Sequence, residues 1–148
     1  MDKRNILILG LAFIVVLLNG LIGHFFAPNG IFLTPFVLTI TASLIAFRTK
    51  NLKPIWKSVL IYSFMALNDF SIKLYSGGSH DNEGLGFVHL FLFIGLLPTF
   101  GILITTITND KQTTTKDKIL AITIFPILTG IHLYLFSGLG LGRYYPVH

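Results

Sequence analysis

A chain of 148 residues with 53% hydrophobic and 11% charged residues, and a mean hydropathy of +0.76, cannot clothe a water-facing surface. Soluble domains carry roughly 25% charged residues. The apolar runs have the length of a bilayer crossing, so the composition points to an integral membrane protein and excludes a soluble enzyme. Cysteine is absent, which rules out disulfides, thiolate metal sites, iron–sulfur clusters and c-type haem attachment. The net charge of +5 lies in short runs between apolar spans, where it reads as a topology signal rather than a nucleic-acid footprint.

Five apolar segments are expected as helices in an all-α bundle. The first, Asn5–Ala27, follows MDKR and resembles a signal peptide, but it has no small-residue cleavage site and reads as a retained span. The second is Ile31–Phe47, with Thr34 and Pro35 as its expected N-cap and first helical residue. The third is Ile55–Tyr75, beginning after Pro54. A glycine-rich loop, SGGSHDNEGLG, leads to the fourth, Gly86–Thr108, and NDKQTTTKDK leads to the fifth, Ile119–Phe136. Continuous rather than alternating apolar runs argue against strands. The tail SGLGLGRYYPVH is too rich in glycine for a sixth span, and Arg143, Tyr144 and Tyr145 suit a membrane interface.

Lys3, Arg4, Arg48, Lys50, Lys53, Lys57, Lys111, Lys116 and Lys118 fall on one side of this topology, and only Lys73 and Arg143 on the other. That bias predicts a cytoplasmic N-terminus and an outer C-terminus, and the composition suits a bacterial inner (plasma) membrane. All five histidines, His24, His80, His89, His132 and His148, then belong to the outer half, with Asp69, Asp81 and Glu83.

Imidazole and carboxylate are the usual ligands of divalent zinc, iron or manganese. The candidate metal ligands are therefore His24, Asp69, His80, Asp81, Glu83, His89 and His132, with Asp69 or Glu83 as the general base for a metal-bound water. Paired histidines on facing spans would instead suit a b-type haem. On the third span, Ser58, Tyr62, Asp69, Lys73 and Ser76 share one face, with Asn68 beside it, and Asp69 and Lys73 stand four apart, the spacing of a helical ion pair. A carboxylate inside a span costs about 2.5–3.5 kcal/mol on insertion scales and must face protein or water. Pro98 and Pro126 are expected to kink the fourth and fifth spans and splay their outer halves. Gly20, Gly23, Gly95 and Gly101 allow close helix approach.

No catalytic signature is complete, and three functions compete. The first is a membrane protein with an outward metal or haem site and a possible hydrolytic reaction. The second is a non-enzymatic accessory or assembly subunit, partnered by the bilayer and by other membrane subunits. The third is a small transporter or ion pathway that self-associates around the Asp69–Lys73 face.

Overall fold

The computed structural model describes residues 2–142, a range in which every regular element is a helix. The helices are α1 (Lys3–Phe25), α2 (Asn29–Ser43), α3 (Pro54–Tyr75), α4 (Asn82–Thr108) and α5 (Thr115–Phe136), and a π-helical turn, Leu44–Arg48, prolongs α2. Arg143, Tyr144, Tyr145 and His148 lie outside the described residues.

Side-chain bonds between helices give the direction of the chain. Ser58 reaches the carbonyl of Ala121, Asp69 meets His132 and Lys73 reaches the carbonyl of Phe136. The constant offset of 63 residues means that α3 and α5 run parallel, side by side. α1 is parallel to them, since Asn19 bonds Asn68 and the Gly23 carbonyl accepts from Ser76 and Gly77. α2 and α4 run the other way, as a serpentine of short loops requires. α3 is the one helix that touches all four others.

Among the described residues, four helical segments are long and apolar enough to cross a membrane: Lys3–Phe25, Asn29–Arg48, Asn82–Thr108 and Thr115–Phe136. The expected third span is the exception, because α3 carries Lys57, Asn68, Asp69 and Lys73. Its 22 residues still measure about 33 Å at 1.5 Å per residue. Its polar groups are tolerated because its neighbours enclose them. The other helices turn large apolar side chains outward, with Leu97 78% and Tyr134 85% exposed. Such an inverted surface is what a lipid solvent favours.

Helix starts depart from the sequence expectation at three places. Thr34 and Pro35 are interior to α2, which begins at Asn29, directly after Pro28. The Thr34 hydroxyl bonds back to the Gly30 carbonyl rather than capping the helix. α4 begins within the presumed loop, because the Asp81 carboxylate accepts the Gly84 amide at 2.6 Å and caps the helix there. α5 starts four residues before the expected Ile119, where the Thr114 hydroxyl accepts the Asp117 amide as the N-cap and donates to the Asp117 carboxylate.

The core is layered along the bundle. Ala42, Ile45, Ile61, Leu103, Ile107, Ala121 and Phe125 fill the end toward the basic residues, Leu38, Met65 and Leu92 form the next cluster, and Ile31, Ile72 and Val88 a third. At the basic end, Asn5 and Lys50 exchange two hydrogen bonds, and the Lys57 ammonium reaches the Ala46 carbonyl. The Asp110 carboxyl, in the α4–α5 loop, is held below the usual carboxylate range by the Gln112 amide and the Thr113 hydroxyl.

α2 and α4 approach closely where a Cβ on Gly95 would lie 2.8 Å from the Pro35 Cα, whereas a Cβ on Gly101 would meet nothing within 4 Å. Pro98 and Pro126 stand inside unbroken helices. The cleft between α4 and α5, of about 490 Å³, has a wall that includes Phe100, Pro126 and Leu133 and is almost wholly apolar. His89 and His132 are not part of that wall. Replacing Gly95 by Val should weaken resistance to SDS-induced unfolding by about 1–3 kcal/mol, the usual range for overpacking. Gly101→Val should change it by less than about 0.5 kcal/mol. Helicity followed through an SDS titration reads both; equal losses would refute the close α2–α4 contact.

Candidate functional site: a buried carboxylate shared by lysine and histidine

Asp69 and Lys73 occupy successive turns of α3 on the side covered by α5. Lys73 Nζ lies 2.7 Å from Asp69 Oδ2, and His132 Nε2 lies 2.8 Å from the same oxygen. All three side chains have zero exposure. An ionised carboxylate only accepts, so with Asp69 ionised the His132 Nε2–H is the donor in this contact. Lys73 donates a second bond, 3.0 Å long, to the carbonyl of Phe136. That carbonyl belongs to the last turn of α5, where helix geometry leaves acceptors unsatisfied and the dipole favours a cation. One ammonium thus neutralises the carboxylate and caps a neighbouring helix.

Aromatic rings close the site. Phe70 lies 4.9 Å, Phe136 5.3 Å and Tyr62 6.1 Å from the His132 ring, centroid to centroid. Asp69 Oδ1 and His132 Nδ1 are buried without a hydrogen-bond partner among the described residues. On α4, His89 Nε2 is likewise buried and unpartnered, and the ring is within electrostatic reach of Lys73 and Asp69.

A second polar chain runs from the other side of α3. Asn19 of α1 donates to Asn68 at 2.8 Å, and Asn68 donates toward the Thr34 hydroxyl at 3.4 Å. Asn68 and Asp69 are adjacent, so α3 sends one polar contact to α1 and α2 and the next to α5.

The α3–α4 loop closes over this end. The Ser76 hydroxyl bonds the Gly23 carbonyl, Ser79 bonds the carbonyls of Ile72 and Ser76, and His80 Nδ1 lies 3.0 Å from the Gly140 carbonyl. Gly142 donates back to the His80 carbonyl, and Gly140 sits directly against the Lys73 backbone. A Cβ on Gly84 would collide with the Gly78 carbonyl, so this glycine is required by close approach.

The seven residues expected as metal ligands are thereby distributed rather than gathered. Asp69 and His132 meet directly and His89 stands nearby, whereas His24 is exposed against the Tyr75 carbonyl, His80 joins the tail, Asp81 caps α4 and Glu83 is exposed in its first turn. Among the described residues, no group of three or more His, Asp or Glu side chains could hold a metal ion. At the Asp69–His132 pair, the shared oxygen already faces an ammonium, which opposes a second cation there. His132 Nε2, one of the nitrogens a haem iron would need, is engaged by Asp69. The two candidate general bases also differ in kind, since Asp69 is sealed in the bundle and Glu83 is at the surface.

Of the expected α3 face, Ser58, Asp69 and Lys73 contact α5 and Tyr62 packs edge-on to His132, while Ser76 contacts α1 instead. This face is covered within a single chain, so self-association is not needed to shield it. Asn19, Thr34 and the Phe136 carbonyl were not among the expected site groups. Asn19 is a lone polar residue within an apolar run, a signal that could have drawn attention to it; the carbonyl has no sequence signature.

Comparison with protein-family models, with curated proteins and with solved structures found no match.

Lys73→Met should destabilise the bundle by about 3–5 kcal/mol, since it strands a buried carboxylate. Lys73→Met with Asp69→Asn should recover a large part of that loss, because the orphaned charge is gone. SDS-unfolding midpoints of the two variants check this; a double variant no more stable than the single would mean that the pair does not share one buried charge balance.

Proposed function

We propose that this chain is a five-span inner-membrane bundle, N-terminus cytoplasmic and C-terminus outside, whose Asp69–Lys73–His132 centre takes up and releases a proton in the outer half of the membrane. It acts as a small proton pathway or proton-coupled transport element. One observation carries this reading: three sealed ionisable groups meet on one carboxylate oxygen, while Asp69 Oδ1 and His132 Nδ1 are buried with no hydrogen-bond partner among the described residues. A purely structural clamp gains by satisfying every buried acceptor, whereas a proton site needs one left open.

With His132 neutral, the centre holds one negative and one positive charge. A proton arriving at Nδ1 makes an imidazolium that Asp69 still holds. A proton arriving at Asp69 Oδ1 removes the charge that binds both Lys73 and His132 and loosens α3 from α5. His89, with its unpartnered Nε2 on α4, is the next proton-accepting group nearby. The charge distribution supports the orientation, since nine Lys and Arg belong to the end where α1, α3 and α5 begin.

A second reading, a non-enzymatic accessory subunit in which the centre only pins helices, is favoured by the zero exposure of all three side chains. Proteoliposomes containing a pH dye separate the two. Wild-type protein should speed proton equilibration over empty vesicles, and both Asp69→Asn combined with Lys73→Met, which strands no buried charge, and His132→Gln should abolish the increase, with helicity read alongside to check folding. Rates equal to empty vesicles for all three proteins would leave the accessory reading in its place.

Orientation is tested in the cysteine-free background. Glu83→Cys should react with an impermeant maleimide from outside intact cells and Lys111→Cys only after permeabilisation; the reverse pattern would invert the bundle.

A further inference from the structure

The basic end holds a cleft of about 640 Å³ between the first turn of α1 and the end of α2 with its π-helical turn. Arg4 and Arg48 line it, with Ser43 and the apolar side chains of Ile40, Leu44 and Phe47. We infer that this cleft binds the phosphate headgroup of an anionic phospholipid, with both guanidinium groups as phosphate ligands. The inference rests on the membrane reading proposed above and is independent of the proton centre.

Neither guanidinium has a hydrogen-bond or ion-pair partner among the described residues. The Asp2 carboxylate, two residues before Arg4 in the chain, accepts the Arg4 backbone amide as the N-cap of α1. The Ser43 hydroxyl has no partner among the described residues either, and it supplies a further donor. Planar guanidinium forks match phosphate oxygens two at a time, which a lysine ammonium does not.

The two arginines are also held in register. Asn5, beside Arg4, exchanges two bonds with the backbone of Lys50, two residues after Arg48, at 2.9 and 3.0 Å. The cleft therefore presents a cation from each of two tethered elements, which lowers the ordering cost of binding. Charge alone would serve a free phosphate equally well. The floor decides for a lipid: Ile40 is 47% and Phe47 58% exposed, so the cleft continues into the apolar outer face where acyl chains lie.

The full chain, purified in neutral detergent, is titrated with phosphatidylglycerol or phosphatidylcholine in mixed micelles, and retained lipid is read by native mass spectrometry. Wild-type protein should retain phosphatidylglycerol in preference to phosphatidylcholine. Arg4→Gln with Arg48→Gln should lose about thirtyfold in that preference, the loss of two interfacial cations. Lys111→Gln with Lys116→Gln removes the same charge from the same end and should keep the preference, and Arg4→Lys with Arg48→Lys should fall between. An unchanged preference in the arginine variant, or an equal loss in the lysine variant, overturns the site. Competition by millimolar inorganic phosphate overturns the assignment to lipid. Flotation with phosphatidylcholine vesicles reads membrane insertion separately: protein that floats but shows no preference loses only this inference, and protein that does not float loses both.

Discussion

Asp69 Oδ2 is the point on which the half of the bundle away from the basic residues turns. A carboxylate in an apolar interior is stable only with a counter-charge and hydrogen bonds close by. Lys73 provides the charge from the next turn of its own helix, and His132 provides a donor from α5. Because the lysine also caps the Phe136 carbonyl, the same ammonium fixes where α5 ends relative to α3. The parallel pairing of two helices distant in sequence depends on that small group, backed by the Ser58 contact to Ala121 further down.

What lies above the centre follows from shielding it. The Ser76–Asp81 segment folds inward through Ser76, Ser79 and His80, and the turn after α5 comes back until Gly140 lies on the Lys73 backbone. The glycines of this region serve close packing at least as much as mobility, as Gly84 against the Gly78 carbonyl makes plain. The polar cluster that a sequence reader sees as a binding loop is spent largely on capping α4 and sealing the bundle.

The remainder of the molecule is organised by its solvent. Large apolar side chains point outward on α1, α2, α4 and α5, and the polar helix α3 is shared among all of them. Lipid gives no hydrophobic drive for association, so cohesion falls to close approach, as at Gly95 and Pro35, and to buried polar bonds such as Asn19–Asn68. At the opposite end the basic residues face no comparable demand for pairing, and Arg4 and Arg48 remain without a protein partner among the described residues.

The helical class, the number of helices and the clustering of basic residues were determined by the sequence alone, because apolar length and charge asymmetry are properties of consecutive residues. So was the Asp69–Lys73 pair, which needs only helical spacing. Helix starts were legible in part: Asp81 and Thr114 are cap residues in plain view, yet their capping role emerged only where a backbone amide stood in reach. Composition could collect seven imidazole and carboxylate groups on one side, but not say which of them touch. That was decided by the parallel packing of α1, α3 and α5, which brings His132 to Asp69 and Asn19 to Asn68 while leaving His24 and Glu83 at the surface. Side-chain contacts between helices depend on rotation about each helix axis, and that rotation is set by neighbouring surfaces rather than by any one stretch of chain.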